Sequence, residues 1–575
     1  MAEEKYTLSM SLILDGLNES QREAVTAPAR HLLVVAGPGT GKTLTIVRRI
    51  AYLLEQGASP EQIIAVTFTN RAAREMRERI QTLLRTQASG MFIGTFHLLG
   101  LKIIRDSLQA HPMIVGRNEQ INFLKPIVGS SSRAARQAAE KISRIKNFME
   151  TPEGEMKGMY QAYQTALKEK GACDLDDLII IPIQLFQAGK VADHFAGASN
   201  HIIVDEYQDI SPAQYQLLKC LAREESTLCA VGDADQAIYA FRGADVQNFL
   251  DFQTEFADAA MVVLKENYRS TKVVVGAAQG LIKNNLRRIE KELTVDREQG
   301  TSVRVFSVPD EKAEADAVVR EIEARMGGTS HYRLSSGNAP RDFSETTLAF
   351  SDFAVLFRTN AQAKVLREVF EEWGIPCQVL SERYPLNRKA LVEYLQASLD
   401  TLSEQIDLGA FLKEVWEETD SGDQESGLLE NLAAAYQHLP PRDAVTEIIN
   451  ELSLLTTADA FDPRADAVAL MTLHMAKGLE FKVVFVVGCE EGLLPFTLTR
   501  NDADIEEERR LFYVGMTRAK DELFLFHARN RFLYGQKLSG TPSSFLTEIP
   551  QELIRMDSVA DRPRKQKQGK QSTLF

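Results

Sequence analysis

Residues 32–43 read LLVVAGPGTGKT, an apolar run of strand length that breaks at once into glycines and then into a lysine and a threonine. No other stretch limits the fold so strongly. An unbroken apolar strand must be covered on both faces, which points to a parallel sheet, and parallel strands need crossover helices. Ala36, Gly37, Pro38, Gly39, Thr40 and Gly41 form the turn out of that strand. Glycines let the backbone curl until its N–H groups converge on one point, and a helix beginning near Lys42 aims its positive dipole end at the same point. Lys42 adds a mobile cation suited to β- and γ-phosphates, and Thr43 a hydroxyl suited to Mg²⁺. Ala36 stands where the pattern usually has glycine, and its methyl is small enough for the turn.

At 575 residues the chain is too long for a single core, so roughly two to four domains are expected. No apolar run approaches the roughly 18 residues of a membrane span, and the opening MAEEKYTLSM lacks the basic and apolar regions of a secretion signal, so a cytoplasmic location is expected with no membrane partner. Cys173, Cys220, Cys229, Cys377 and Cys489 form no CxxC pair, which argues against a zinc ribbon or a disulfide framework. A net charge of −14 excludes a chain that coats nucleic acid through bulk charge and leaves a local basic groove open.

Around the loop the pattern alternates strand and helix. The helix after Lys42 stops at Gly57; a second strand, IIAVTFT, ends at Asn70, which is expected to cap the helix RAAREMRERI; a third, MFIGTF, ends at His97. Such alternation implies a parallel sheet with its working loops at the strands' carboxyl ends. From about Asp106 to Lys170 the pattern is helical and polar, which suggests an inserted helical domain. The sheet resumes with HIIVDE, whose tip carries Asp205 and Glu206. Paired acids there suit one Mg²⁺ ligand and one proton acceptor for an attacking water, although they also suit a solvated turn. The strand TLCAVGD leads to Gln236, placed to sense a γ-phosphate or position water, and then to Tyr239, Phe241 and Arg242, where the aromatics offer platforms for unpaired bases or core packing.

A second βαβ-like half begins near Val262 and lacks a phosphate loop, so it reads as a silent partner sheet closing over the nucleotide held by the first. Arg269, in NYRS, and Arg518, in YVGMTRAKD, could neutralise charge on a transferring phosphoryl group, and Glu480 lies in HMAKGLEF.

Taken together these stretches resemble the UvrD/Rep/PcrA type of superfamily 1 DNA helicase. LNESQREAV is similar to its Q motif, AGPGTGKT to motif I, TFTNRAAREM to motif Ia and GTFH to motif Ib. LDDL, VDEYQD, VGDADQAIYAFRGA and LKENYRS follow in the family's order, and VALMTLHMAKGLEFKVVFVVGCEEGLLP and EEERRLFYVGMTRAK resemble motifs V and VI. The resemblance implies an α/β fold of two RecA-like parallel-sheet P-loop NTPase lobes, each interrupted by a mainly helical insertion, the second one reduced. Its boundaries would be 1–106 with 171–264 for the first lobe, 107–170 for its insertion, 265–387 with 465–550 for the second lobe, 388–464 for the reduced insertion, and 551–575 for a disordered basic tail.

The resemblance also implies roles. Gln21 would read the adenine edge and Tyr268 pack on its face; Lys42, Thr43 and Asp205 would hold ATP and Mg²⁺; Glu206 would activate water and Gln236 couple the γ-phosphate to DNA. Arg269 and Arg518 would be the arginine fingers, and Glu480 would touch the ribose. Phe68, Asn70, His97, Tyr239, Phe241, Arg242, Arg358, Asn360 and His474 would line a single-strand track, and Tyr534 would be the aromatic of a duplex-splitting hairpin. The expected activity is an ATP-dependent 3′–5′ helicase or translocase acting on single-stranded and 3′-tailed duplex DNA in DNA repair or replication; the alternative is a single-strand DNA translocase or a nucleotide-switched DNA-binding module with little duplex unwinding of its own. Many members have arginine directly after the motif I threonine, where this chain has Leu44. The reduced second insertion leaves open whether the protein unwinds duplexes alone, and the long loop 327–350 has no assigned role. The last five residues, Gln571–Phe575, resemble the peptide by which bacterial replication proteins dock on the sliding clamp; a frayed tail is the other reading.

Overall fold

The computed structural model describes residues 10–558 apart from 85–89, 111, 197–199, 223, 328–347, 381–387, 400, 404–405, 420–428, 430–431, 435, 438, 455–460 and 499–503. Most of the long loop 327–350 and all of the clamp-like peptide 571–575 therefore lie outside the described residues. Two compact units are present. The first lies within Met1–Arg269, Leu286–Asp296 and Glu382–Phe461, the second within Ser270–Asn285, Arg297–Ser381 and Asp462–Phe575.

In the first unit the apolar runs become β1 (His31–Ala36), β2 (Ile63–Thr67) and β3 (Phe92–Thr95); β4 (Met113–Val115) and β5 (Ala172–Asp174) pair within the helical insertion; β6 (His201–Val204), β7 (Thr227–Gly232) and β8 (Ala260–Leu264) complete the main sheet. Its order is β3-β2-β6-β7-β1-β8, parallel throughout. Successive side chains of β1 enter different cores: Leu32, Val34 and Ala36 on one face, Leu33 and Val35 on the other. Burial of both faces is why the strand reads as a continuous apolar run. Val35 pairs with Gly232 and Val204 with Ala230, so the loops leaving β1, β6 and β7 emerge side by side.

Three features differ from the sequence reading. β8 is the sixth strand of the first sheet, as the boundary at 264 implied, and not the start of a second half as the pattern near Val262 suggested, because Val262 and Leu264 complete the core beside Val34. Residues 286–296 return to the first unit, where β9 (Glu266–Asn267) pairs with β10 (Thr294–Val295). Residues 388–461 belong with the first unit as well. Their helices Arg388–Ser398, Leu408–Glu418 and Pro441–Leu454 share a core of their own. Leu454 packs with Leu101, Ile104, Cys173 and Leu178, and Arg74 is 3.4 Å from Glu451.

The second unit is a seven-stranded sheet of β11 (Val303–Val308), β12 (Phe353–Phe357), β13 (Cys377–Val379), β14 (Val468–Thr472), β15 (Phe481–Val486), β16 (Ala519–Ala528) and β19 (Ile554–Ser558), with β17 (Asn530–Leu533) and β18 (Gln536–Ser539) as a separate hairpin. The order is β13-β14-β12-β15-β16-β11-β19, again all parallel. Ile554–Ser558, expected in a tail, form its edge strand instead. Phenylalanines fill one face, with Phe306 and Phe526 stacked at 4.7 Å and Phe485 and Phe524 at 4.9 Å.

Candidate nucleotide site and single-strand track

The phosphate loop is shaped by its neighbours as much as by its own glycines. Gly39 and Gly41 adopt φ of +70° and +83°, a region only glycine enters freely. A Cβ on Gly39 would stand 2.8 Å from the Asn267 amide, and one on Gly41 2.7 Å from the Gln21 amide. Asn267 donates to the Pro38 carbonyl at 2.6 Å, and Tyr268 N–H donates to the Gly39 carbonyl at 2.9 Å. Helix Lys42–Glu55 starts from Gly41 with no side-chain cap, which leaves its first-turn N–H groups for an anion. A phosphate cradle fits these residues, and the Thr43 hydroxyl with the Asp205 carboxylate is a hard-oxygen donor set suited to Mg²⁺.

Gln21 is fixed from both ends. It closes a capping box with Asn18, and its Nε2 donates to the Thr40 carbonyl at 3.0 Å, so in this structure its amide braces the loop. Tyr268 is half-exposed; its hydroxyl accepts from Asn18 Nδ2 at 2.8 Å. Arg269 N–H is held by Asn267 Oδ1 at 3.0 Å, which brings Arg269 beside Gly39 in the first unit rather than in the second lobe where the sequence boundaries put it.

Lys42 Nζ donates to the Ala36 carbonyl at 3.3 Å and lies 3.7 Å from Glu206. Glu206 has φ +53°, a left-handed conformation unusual for glutamate and held by its surroundings. Gln208 donates to Glu206 Oε2 and accepts from Asp233 N–H at 2.9 Å, and Gln236 Nε2 donates to Asp233 Oδ2 at 2.9 Å. Lys42, Glu206, Gln208, Asp233 and Gln236 are thus one connected network. Behind it Lys291 bridges Asp233 and Asp235, both at 2.5 Å, and Arg288 grips Asp235 at 2.9 and 3.1 Å. Burial works to raise the Asp233 carboxyl, yet Lys291 and then Lys42 hold it below the usual carboxylate range. Sequence reasoning missed Gln208, Asp233, Lys291 and Asn267; the carboxylates in VGDADQ and the lysine in RRIEKEL were its visible traces.

The aromatic residues assemble as a row. Phe68 stacks on Tyr239 at 4.5 Å, Tyr239 meets Phe241 at 6.0 Å, and the Arg242 guanidinium lies over both rings at 5.2 and 5.6 Å. Tyr239 is buried, while Phe241 is 53% exposed. Burial, aided by Arg242, drops the His97 imidazole to about 4, so it is neutral at physiological pH. Asn70 does not cap its helix. The Thr69 hydroxyl does, accepting from Ala72 N–H at 3.1 Å, because only a residue ahead of the first turn can reach that donor; the Asn70 amide instead donates to the Leu454 carbonyl at 3.3 Å.

The remaining predicted residues lie in the second unit. Arg358 is held by Glu508, with Nη2 to Oε1 at 2.6 Å, and stacks over Phe496. Asn360 opens a short 3-10 helix, and His474 follows β14 half-buried. Glu480 pairs with Lys520. Arg518 is buried and donates to the Val514 carbonyl at 2.9 Å, the Leu479 carbonyl at 3.2 Å and the Thr517 hydroxyl at 3.0 Å. Tyr534 is 59% exposed at the tip of the β17–β18 hairpin, whose root is clamped by buried Arg531 between Glu314 and Glu490.

A glycine-shaped loop after β1, acids at the tip of β6 and a buried glutamine in the turn after β7 are the arrangement of a P-loop nucleotide hydrolase. The UvrD/REP helicase N-terminal domain matches residues 17–257, and the UvrD-like helicase C-terminal domain matches 262–436 and 426–530. The chain is 32% identical to the ATP-dependent DNA helicase PcrA of Staphylococcus aureus, over 98% of this chain and 90% of that one. It is 32% identical to that of Staphylococcus epidermidis, over 95% and 88%. The chain belongs to the UvrD/Rep/PcrA-type superfamily 1 helicases, and its two parallel sheets are the RecA-like lobes of that family.

Proposed function

We propose that the protein is an ATP-driven motor that moves 3′ to 5′ along single-stranded DNA and opens 3′-tailed duplexes. The observation that carries this reading is that Gln236 and the row Tyr239–Phe241–Arg242 share one short loop after β7. A change at the γ-phosphate end of that loop is transmitted over three residues of backbone to the base-stacking end.

Lys42 and the loop N–H groups bind the β- and γ-phosphates, Gln21 and Tyr268 receive the adenine, and Glu480 takes the ribose. Thr43 and Asp205 would hold Mg²⁺, which would neutralise phosphate charge. Glu206 takes the proton of the attacking water, oriented for it by Gln208 and by its unusual backbone. Arg269 and Arg518 neutralise charge on the transferring group; for Arg518 this requires exchanging the three hydrogen bonds that now hold it. Stacking of roughly 1–3 kcal/mol per base on Phe68, Tyr239 and Phe241 is strong enough to grip and weak enough to release in one ATP cycle. His97, Arg242, Arg358, Asn360 and His474 complete the track, and Tyr534 stacks on the end base pair.

A second reading, a translocase with little unwinding of its own, is favoured by one observation: Asn70, a track residue, is occupied by the carbonyl of Leu454 from the reduced insertion. We further propose cytoplasmic action, in keeping with the lack of a helix long and apolar enough to cross a membrane among the described residues, and docking on a sliding clamp through Gln571–Phe575. Loss of clamp capture on deleting those five residues tests the latter. The main test is ATP turnover with and without single-stranded DNA, beside unwinding of 3′-tailed and 5′-tailed duplexes. Turnover indifferent to DNA overturns the motor, and Glu206→Gln with near-normal turnover removes Glu206 from the base role.

A further inference from the structure

Helix Ser132–Phe148 of the first insertion ends against the aromatic loop, and its last three residues are held in different ways. Lys146 is sealed inside, 2.7 Å from both Asp174 and Asp177, with the Tyr163 hydroxyl donating to the same Asp174 oxygen at 2.9 Å. Asn147 donates to Asp176 at 2.7 Å and to the Ser143 carbonyl at 3.0 Å. It sits so close to Gly243 that a Cβ there would be 2.8 Å from its own Cβ, and Gly243 has φ +89°. The helix end and the loop carrying Phe241 and Arg242 are therefore fitted together with no room for a side chain between them. Phe148, by contrast, is turned outward and 37% exposed, its ring edge 3.6 Å from the same Gly243 position.

Arg144, one turn earlier, holds its guanidinium 5.7 Å from the Phe148 ring centre, as Arg242 does for Tyr239 and Phe241. Gln137, Glu140, Lys141 and Arg144 line a shallow hollow on the face of the helix that leads to Phe148, as their three- and four-residue spacing requires. Arg144 also meets Glu150 at 3.4 Å, an exposed pair that a phosphate can displace.

We propose that Phe148, flanked by Arg144 and Lys141, is a further stacking site for one unpaired base of a single strand, continuing the row Phe68–Tyr239–Phe241 onto the helical insertion. This rests on the reading of that row as a DNA track. The ligand class is single-stranded nucleic acid, taken by ring face and phosphate charge without base identity, because every base has a π-face.

The test is equilibrium binding of fluorescent oligothymidylates of about 4 and about 16 nucleotides to the full chain carrying Phe148→Ala, Phe148→Tyr, Arg144→Gln or Phe241→Ala. Phe148→Ala is expected to weaken the long oligomer about fivefold or more, equivalent to about 1 kcal/mol, and the short one less than twofold, with an unchanged thermal midpoint. Phe148→Tyr should restore binding, and Arg144→Gln should lower the salt dependence on the long oligomer alone. Equal weakening of both lengths would make Phe148 merely structural and overturn the proposal. Loss of binding in Phe241→Ala with none in Phe148→Ala overturns it while leaving the track intact; no loss in either removes the track and this site with it.

Discussion

Replacing Lys291 by methionine should unsettle the first unit more than any surface change of similar size. The ammonium is almost wholly buried and bridges Asp233 and Asp235, both buried as deeply. Methionine fills the volume and removes the charge. Asp235 keeps its paired contacts with Arg288, whereas Asp233 is left with the Asp235 N–H and the Gln236 amide as its hydrogen-bond donors among the described residues. Breaking a buried pair by removing one partner costs about 3–5 kcal/mol, and the donors left on Asp233 favour the lower end. For a unit of this size about 3 kcal/mol corresponds to a fall of roughly 4 °C in the unfolding midpoint, measured by calorimetry without DNA. Adding Asp233→Asn should recover more than half of that fall, since the stranded charge then disappears. Asp233 ionises below its ordinary value, so the pair's contribution is complete at neutral pH and is lost only as pH falls below about 4. A midpoint within about 1 °C of the parent, or a double variant no better than the single, would refute the reasoning.

The triad at the root of the hairpin gives a pH signature: burial, opposed by Arg531 and aided by Glu490, lifts Glu314 to about 7, so the folded state holds a proton the unfolded one has lost. Stability of the second unit should therefore fall as pH rises from about 4.5 to 7, by about 3 kcal/mol, and Glu490→Gln should flatten that slope in a thermal-shift series. Gly100→Ala should destabilise the first unit by at least about 2 kcal/mol in denaturant titration, because its Cβ would lie 1.7 Å from the Leu178 carbonyl oxygen, which is backbone and cannot swing aside. Glu451→Ala removes the partner of Arg74 beside the Asn70–Leu454 bond, and should tighten single-strand binding several-fold in a fluorescence titration if that contact withholds Asn70. Unaltered affinity would make the contact irrelevant to DNA.

The gathering of the candidate nucleotide-site residues was legible because its parts are local. LLVVAGPGTGKT, HIIVDE and TLCAVGDADQ each contain a strand and the residues at its tip, and a parallel sheet gathers such tips at one edge whatever the rest of the chain does. What escaped depends on long-range packing. Lys291 sits in RRIEKEL, which reads as a solvated surface until Asp233, 58 residues away, is brought against it. Asn70 reads as the cap of RAAREMRERI, but the helix begins one residue earlier than that reading allows, and the partner its amide takes instead, the carbonyl of Leu454, lies 384 residues on. The second insertion has an ordinary helical pattern, and nothing in that pattern says which lobe its outer face will join. β19 is half-exposed and polar, so without β11 beside it the segment looks like tail.

The division of the chain into its two units has a consequence for anyone who would take the motor apart. The backbone passes from one unit to the other after residues 269, 285, 296, 381 and 461. A protease nick at any single junction leaves four peptide links intact, so cleaved protein should survive native separation as one particle and fall apart only in denaturant. Neither half can be cloned as one uninterrupted stretch, and a spliced version of either would need new linkers at several points at once.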